Sequence, residues 1–136
     1  MGIPVVTHNR FRAILLKICT KETCHDTCAD HWSPENPLWG HCAVVSVLAQ
    51  KIFDGDVTAA NIASPRRWMS NRHYRNILPD GTVTDFTRGQ FGGRYPKLSG
   101  EKIITNSLVH IRIRGSHRYK LLEQRFLGHV KGMSRA

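Results

Sequence analysis

Cys42 lies in Trp39-Gly40-His41-Cys42-Ala43-Val44-Val45, where a Pro- and Gly-broken loop gives way to an apolar run with helical length. A thiol in the first turn of a helix meets the positive end of the macrodipole and backbone N–H groups that lack intrahelical acceptors, and both favour thiolate over thiol. That is the chemistry of a cysteine nucleophile. His73, on an expected strand, and Asp85, on the strand after the next turn, supply the two groups such a nucleophile needs: a base, and a carboxylate to orient it. In this reading Cys42 attacks a carbonyl carbon, His73 takes the thiol proton and returns it to the leaving group, and Asp85 holds the imidazole. The oxyanion finds donors in the Cys42 backbone N–H and in the side-chain amide of Asn36, six residues upstream. His41 and Trp39, beside the nucleophile, and Arg75, on the face of its strand that carries His73, are expected to contact substrate.

The elements that must place these groups can be read from the spacing of apolar residues. Phe11, Ile14, Leu15 and Ile18 predict an amphipathic helix over residues 8–20. Residues 30–40, broken by Pro34, Pro37 and Gly40, predict a fixed loop. From Cys42 to Phe53 the composition suits a helix buried on most faces, stopped at Asp54-Gly55. A strand is expected over residues 57–63, residues 67–70 are ambiguous, and residues 71–78 and 82–87 flank Pro79-Asp80-Gly81 as a hairpin. Residues 92–99 read as loop. Tyr119, Leu122, Phe126 and Val130 mark one stripe of a helix over residues 112–130.

The hairpin permits a geometric test. With a type I turn and Gly81 as the bulge residue, Leu78 closes on Thr82, so facing positions have numbers that sum to about 160. His73 and Asp85 then project from one side as diagonal neighbours roughly 7–8 Å apart at the backbone. A two-residue loop would put them on opposite faces.

At 136 residues the chain suits one domain, residues 1–136, large enough to bury a core without crosslinks. The opening residues carry no basic segment leading into a long apolar stretch, and no run reaches membrane-spanning length, so a cytoplasmic chain with reduced thiols is expected. Twenty basic against ten acidic residues give a net charge of +10, which attracts polyanions. Without a recognition-helix, RNP-like or zinc-finger pattern, that charge reads as a solvated surface or a preference for an acidic substrate. Arg66, Arg67, Arg72 and Arg75 lie nearest the expected site. A second chemistry is open at Cys24, Cys28 and His31, with Cys19, His25 or Asp30 as a fourth ligand for structural zinc, although the spacing is irregular and a metal-free polar loop is favoured. No cofactor is implied.

Trp32-Ser33-Pro34-Glu35-Asn36-Pro37, Gly40-His41-Cys42-Ala43, His73-Tyr74-Arg75-Asn76, Asp80-Gly81 and Asp85-Phe86-Thr87-Arg88-Gly89-Gln90-Phe91 together resemble the YunG-like family of small bacterial and phage proteins, and Arg118-Tyr119-Lys120-Leu121-Leu122 is similar to its closing helix. The resemblance implies a papain-like or transglutaminase-like α+β fold, a buried helix starting at the cysteine packed on a small antiparallel sheet. Carried over by position, it points to Cys42, His73 and Asp85. Members of this type tend to read Gly-Gln-Cys-Ala where this chain has His41, which leaves Asn36 as the better oxyanion donor. The expected activity is acyl transfer on an amide, peptide or isopeptide-like bond through a thioester, with water or an amine as acceptor. The alternative is a non-catalytic basic protein that binds nucleic acid or an acidic partner.

Overall fold

The computed structural model describes residues 6–65 and 70–134. Helix α1, His8–Ile18, starts where the Thr7 hydroxyl accepts the Arg10 N–H and buries Phe11, Ile14, Leu15 and Ile18, the face its spacing predicts. It stops at Cys19, whose backbone turns extended. Residues 20–41 then form a loop with two short 3-10 turns, Lys21–Thr23 and Asp26–His31.

Helix α2, Cys42–Phe53, begins at the cysteine, and its residues Cys42 to Ala49 are all buried. Its stop is more specific than an Asp-Gly pair requires. Asp54 and Gly55 both take positive φ, and a Cβ on Gly55 would stand 2.2 Å from the Ile77 carbonyl oxygen. Glycine is needed there so that the chain can pass under the end of a strand.

Four antiparallel strands follow: β1 (Asp56–Ile62), β2 (Arg72–Ile77), β3 (Val83–Thr84) and β4 (Leu98–Ile103), in the order β3-β2-β1-β4. The β2–β3 register is the one expected from the turn. Asn76 faces Thr84, Ile77 faces Val83, the Leu78 N–H donates to the Thr82 carbonyl at 2.9 Å, and Gly81 sits at φ 88°. Strand β3 is shorter than the expected 82–87 because the Asp85 carboxylate accepts both the N–H and the hydroxyl of Thr87, turning the chain out of the ladder. The backbone pairs His73–Thr87 and Arg75–Asp85 therefore do not form.

Two further expectations are corrected. Residues 92–99 are not all loop, since β4 starts at Leu98. It is an edge strand exposed along most of its length, so it lacks the alternating apolar signal. The helix expected over residues 112–130 is two: α3, Leu108–Gly115, and α4, His117–Ser134. Ser116 divides them. Its backbone is extended, and its hydroxyl donates to the Ile113 carbonyl while accepting the Tyr119 N–H, ending one helix and capping the next.

The molecule is thus α+β, with α2 against the sheet and α4 packed on α2 and α1, around an apolar core that includes Phe11, Leu15, Val44, Leu48, Ala59, Phe86 and Phe126. The Phe11 ring meets Phe86 and Phe126 edge-on at 5.0 and 5.7 Å between centroids. Asn76 ties α2 to the sheet, its amide donating to the Ser46 carbonyl at 2.9 Å within the core. Because that contact lies one turn along from Cys42, it fixes the start of α2 against the strand that carries His73.

Candidate active site

The start of α2 faces the sheet through a cavity of about 530 Å³ walled by Trp39, Gly40, Cys42, His73, Gln90 and Phe91 among others. That volume suits a small-molecule or short-peptide group. The first helical backbone bond of α2 runs from the Val45 N–H to the His41 carbonyl, so the N–H groups of Cys42, Ala43 and Val44 have no acceptor inside the helix. No side chain caps this end. The dipole's positive end is thus presented beside the Cys42 thiol.

His73 and Asp85 meet directly. The imidazole Nε2–H donates to Asp85 Oδ2 at 2.6 Å, with side chains 1% and 6% exposed. Two backbone positions that lie diagonally across a hairpin are joined because the turn at Thr87 swings the carboxylate back toward β2. The other ring nitrogen, Nδ1, is buried and has no hydrogen-bond partner among the described residues. The Cys42 thiol lies near enough to favour the imidazolium, and with Nε2 given to Asp85 the open ring nitrogen is Nδ1. Burial works against a charged His73, but Asp85 and then Cys42 outweigh it and raise its pKa to about 9. Burial likewise opposes ionisation of Asp85, and the bonds from His73, Tyr95 and Thr87 overcome it, holding the carboxyl below its ordinary range.

Tyr95 is a site residue that the sequence reading missed. Its hydroxyl donates to Asp85 Oδ2 at 2.6 Å and its ring packs edge-on to those of His73 and Phe91. It sits in a loop with no motif of its own, so only the fold could reveal it. Gln90 is another. Its Oε1 accepts the Gly40 N–H at 3.2 Å and its Nε2 donates to Thr87 Oγ1 at 2.9 Å, joining the loop before Cys42 to the turn that holds Asp85. The segment Asp85-Phe86-Thr87-Arg88-Gly89-Gln90-Phe91 carried the signal without the role.

Three expected assignments are corrected. Asn36 is not an oxyanion donor: its amide donates to the Gln90 carbonyl at 2.9 Å and it does not wall the cavity. His41 does not face substrate. It is 0% exposed, with Nδ1–H donating to the Trp39 carbonyl at 2.8 Å and Nε2 bonded to Thr23 Oγ1 at 2.7 Å. Burial first, with the charges of Arg118 and Arg125, depresses its pKa to about 4 despite the bond to Trp39, so the ring is a neutral strut beside Cys42. Arg75 does share the face of His73, but both carboxylate oxygens of Glu101 hold its guanidinium at 2.6 Å, and it donates to the Tyr95 hydroxyl at 3.3 Å. It therefore braces Tyr95 instead of binding substrate. Trp39 does wall the cavity, and its indole N–H donates to the Cys28 carbonyl at 3.0 Å.

Arg72 also walls the cavity, whereas Arg66 and Arg67 lie outside the described residues. Among the described residues no three His, Cys, Asp or Glu side chains converge as a metal site would require. Cys24 instead donates its thiol to the Trp39 carbonyl at 3.2 Å, and burial pushes its pKa up to about 12. Burial also raises Cys19 and Cys28, so these three thiols are held protonated. No described helix is long and apolar enough to cross a membrane.

The family model described as YunG protein matches residues 7–131, nearly the whole chain, and the chain belongs to that family. No curated protein and no solved structure matches it.

Proposed function

We propose that this YunG-family chain is a cysteine-dependent acyl-transfer enzyme, with Cys42 as nucleophile, His73 as acid and base, Asp85 as orienter, and a papain-like or transglutaminase-like relation between helix and sheet. The observation that carries the reading is the His73 ring. Asp85 holds Nε2–H, which leaves Nδ1, on the side of a thiol seated at a helix start, to hold the proton that Cys42 gives up.

In this mechanism Nδ1 takes the Cys42 proton and the thiolate attacks the carbonyl carbon of an amide or related acyl donor. Negative charge collects on the carbonyl oxygen, where the Cys42 N–H serves as one donor. Gln90 replaces Asn36 as the side-chain donor, because it walls the cavity and its Nε2 carries a second hydrogen beyond the one given to Thr87. Collapse breaks the C–N bond, the leaving amine receives the proton from Nδ1, and a Cys42 thioester remains. Water or an amine, deprotonated by His73, then releases the acyl group.

The test is thiol selectivity. Near neutral pH, iodoacetamide should alkylate Cys42 at least tenfold faster than Cys19, Cys24 or Cys28, as followed by peptide mass spectrometry, and His73→Ala should remove most of that advantage. Uniform slow labelling of all four thiols, together with steeply salt-dependent retention on nucleic acid, would instead favour the basic-binder alternative, whose support is the +10 charge.

A further inference from the structure

Helix α4 brings a cation to the cavity that the mechanism above does not use. Arg118, in the first turn of α4, joins Cys42, His73 and Arg72 in lining it. Its Nη1 is buried and finds no hydrogen-bond partner among the described residues. Two other arginines meet carboxylates within the fold, Arg75 with Glu101 and Arg125 with Glu22. A guanidinium nitrogen kept from solvent without an acceptor is costly, and an anion supplied from outside would satisfy it. Its neighbourhood offers none. The described lining includes no Asp or Glu, since Asp85 stands behind His73 with its oxygens already engaged. The Arg118 charge reaches several walls of the same space, acting on His25, Cys28 and Tyr74. The remaining surface is largely apolar, from Trp39, Ile62, Phe91 and Ile113.

We propose that Arg118 is a substrate-binding residue that selects acyl donors carrying an anionic group, a carboxylate before a phosphate, close to the bond attacked by Cys42. The planar guanidinium edge matches the two oxygens of a carboxylate, while the apolar walls receive the carbon chain between anion and carbonyl. This inference rests on the nucleophile assignment made above, and it adds the substrate class. The exposed Arg72 lies at the same cavity and contributes general attraction, whereas the half-buried Arg118, with its Nη1 unpartnered, supplies the directed contact.

The two ideas can be separated with maleimides of graded length. The intact protein is labelled with N-alkyl maleimides and with maleimides ending in a carboxylate or a phosphonate on linkers of two to five carbons, and each rate at Cys42 is divided by the rate with glutathione. At one linker length at least, the carboxylate probe should gain about tenfold over its neutral partner, the advantage expected of one charge-assisted contact. Arg118→Gln should abolish that gain over the neutral partner, Arg118→Lys should retain part of it, and Arg72→Gln should retain most of it. Equal normalised rates for charged and neutral probes at every length in the wild-type protein overturn the proposal, whatever the variants do. So does a preference that survives Arg118→Gln. A larger gain for phosphonate than for carboxylate overturns the carboxylate assignment. Failure of neutral maleimides to single out Cys42 would strike the nucleophile assignment itself, a different result from loss of charge preference.

Discussion

At the scale of single residues, the decisive arrangement is one imidazole with its two nitrogens in different roles. Nε2 is fixed by Asp85, which Tyr95 and Thr87 also hold, while Nδ1 is left to the Cys42 side. Asp85→Asn replaces an ionised acceptor with a neutral one, so the imidazolium loses its main support and the His73 pKa falls from about 9 toward its ordinary value. Alkylation of Cys42 by iodoacetamide at pH 7 should then drop by about tenfold or more, one pKa unit being a factor of ten, and recover in alkaline solution where free thiolate forms without help. A pH–rate profile of the variant that overlays the wild type would remove Asp85 from the site. His41 teaches the opposite lesson. Its place beside the nucleophile suggested contact with substrate, but its ring is turned inward onto Thr23 and the Trp39 carbonyl. Adjacency in sequence fixes where a backbone is; the rotamer and the available partners fix what the side chain does.

At the scale of elements, turns set the geometry that the site depends on. The Pro79-Asp80-Gly81 turn gives β2 and β3 their register, and the stop at Asp54-Gly55 returns the chain from α2 into β1. Both glycines adopt positive φ, yet their surroundings differ. A Cβ at Gly81 would meet nothing within 4 Å, while one at Gly55 would collide with the Ile77 carbonyl. Gly81→Ala should therefore cost only the left-handed backbone penalty, about 1–2 kcal/mol. Gly55→Ala should cost clearly more, because the strand end must also move, and the difference is measurable as a larger fall in urea midpoint. Equal losses would mean that the clash relaxes freely. The hairpin was legible because turn chemistry is local. Strand β4 and the break at Ser116 were not: an edge strand carries no buried stripe, and the Ile113–Ser116–Tyr119 bonds interrupt a run of helix-compatible residues without a proline to announce it.

At the scale of the whole molecule, folding and charging of the site are linked. The folded pKa of His73 lies above its unfolded value of 6.5, so its contribution to stability is complete below about 6.5 and is lost as pH rises through about 9. Asp85 has the opposite sign: its folded pKa lies below the ordinary 3.8, so its contribution is complete above that value and is lost as pH falls below it. Urea unfolding should accordingly show a plateau from these two groups between about pH 4 and 6.5 and a decline of order 3 kcal/mol by pH 9. His73→Ala should flatten the alkaline decline; a wild-type profile already flat from pH 6 to 9 would contradict the charged pair. The sequence by itself determined the order of α1, α2 and the hairpin, the start of α2 at Cys42, and the register that brings His73 and Asp85 to one side. Each of these depends on short-range periodicity or on the φ preference of one or two residues. Tertiary structure alone decided that Tyr95 and Gln90 brace Asp85 and the loop before Cys42, that Asn36, His41 and Arg75 are occupied by internal partners, and that Arg118 arrives at the cavity with its Nη1 unpartnered. Apart from the short bond of His41 to Trp39, those hydrogen bonds join groups 10 to 54 residues apart in the chain, and partners at such separations are set by packing, leaving no local pattern to read.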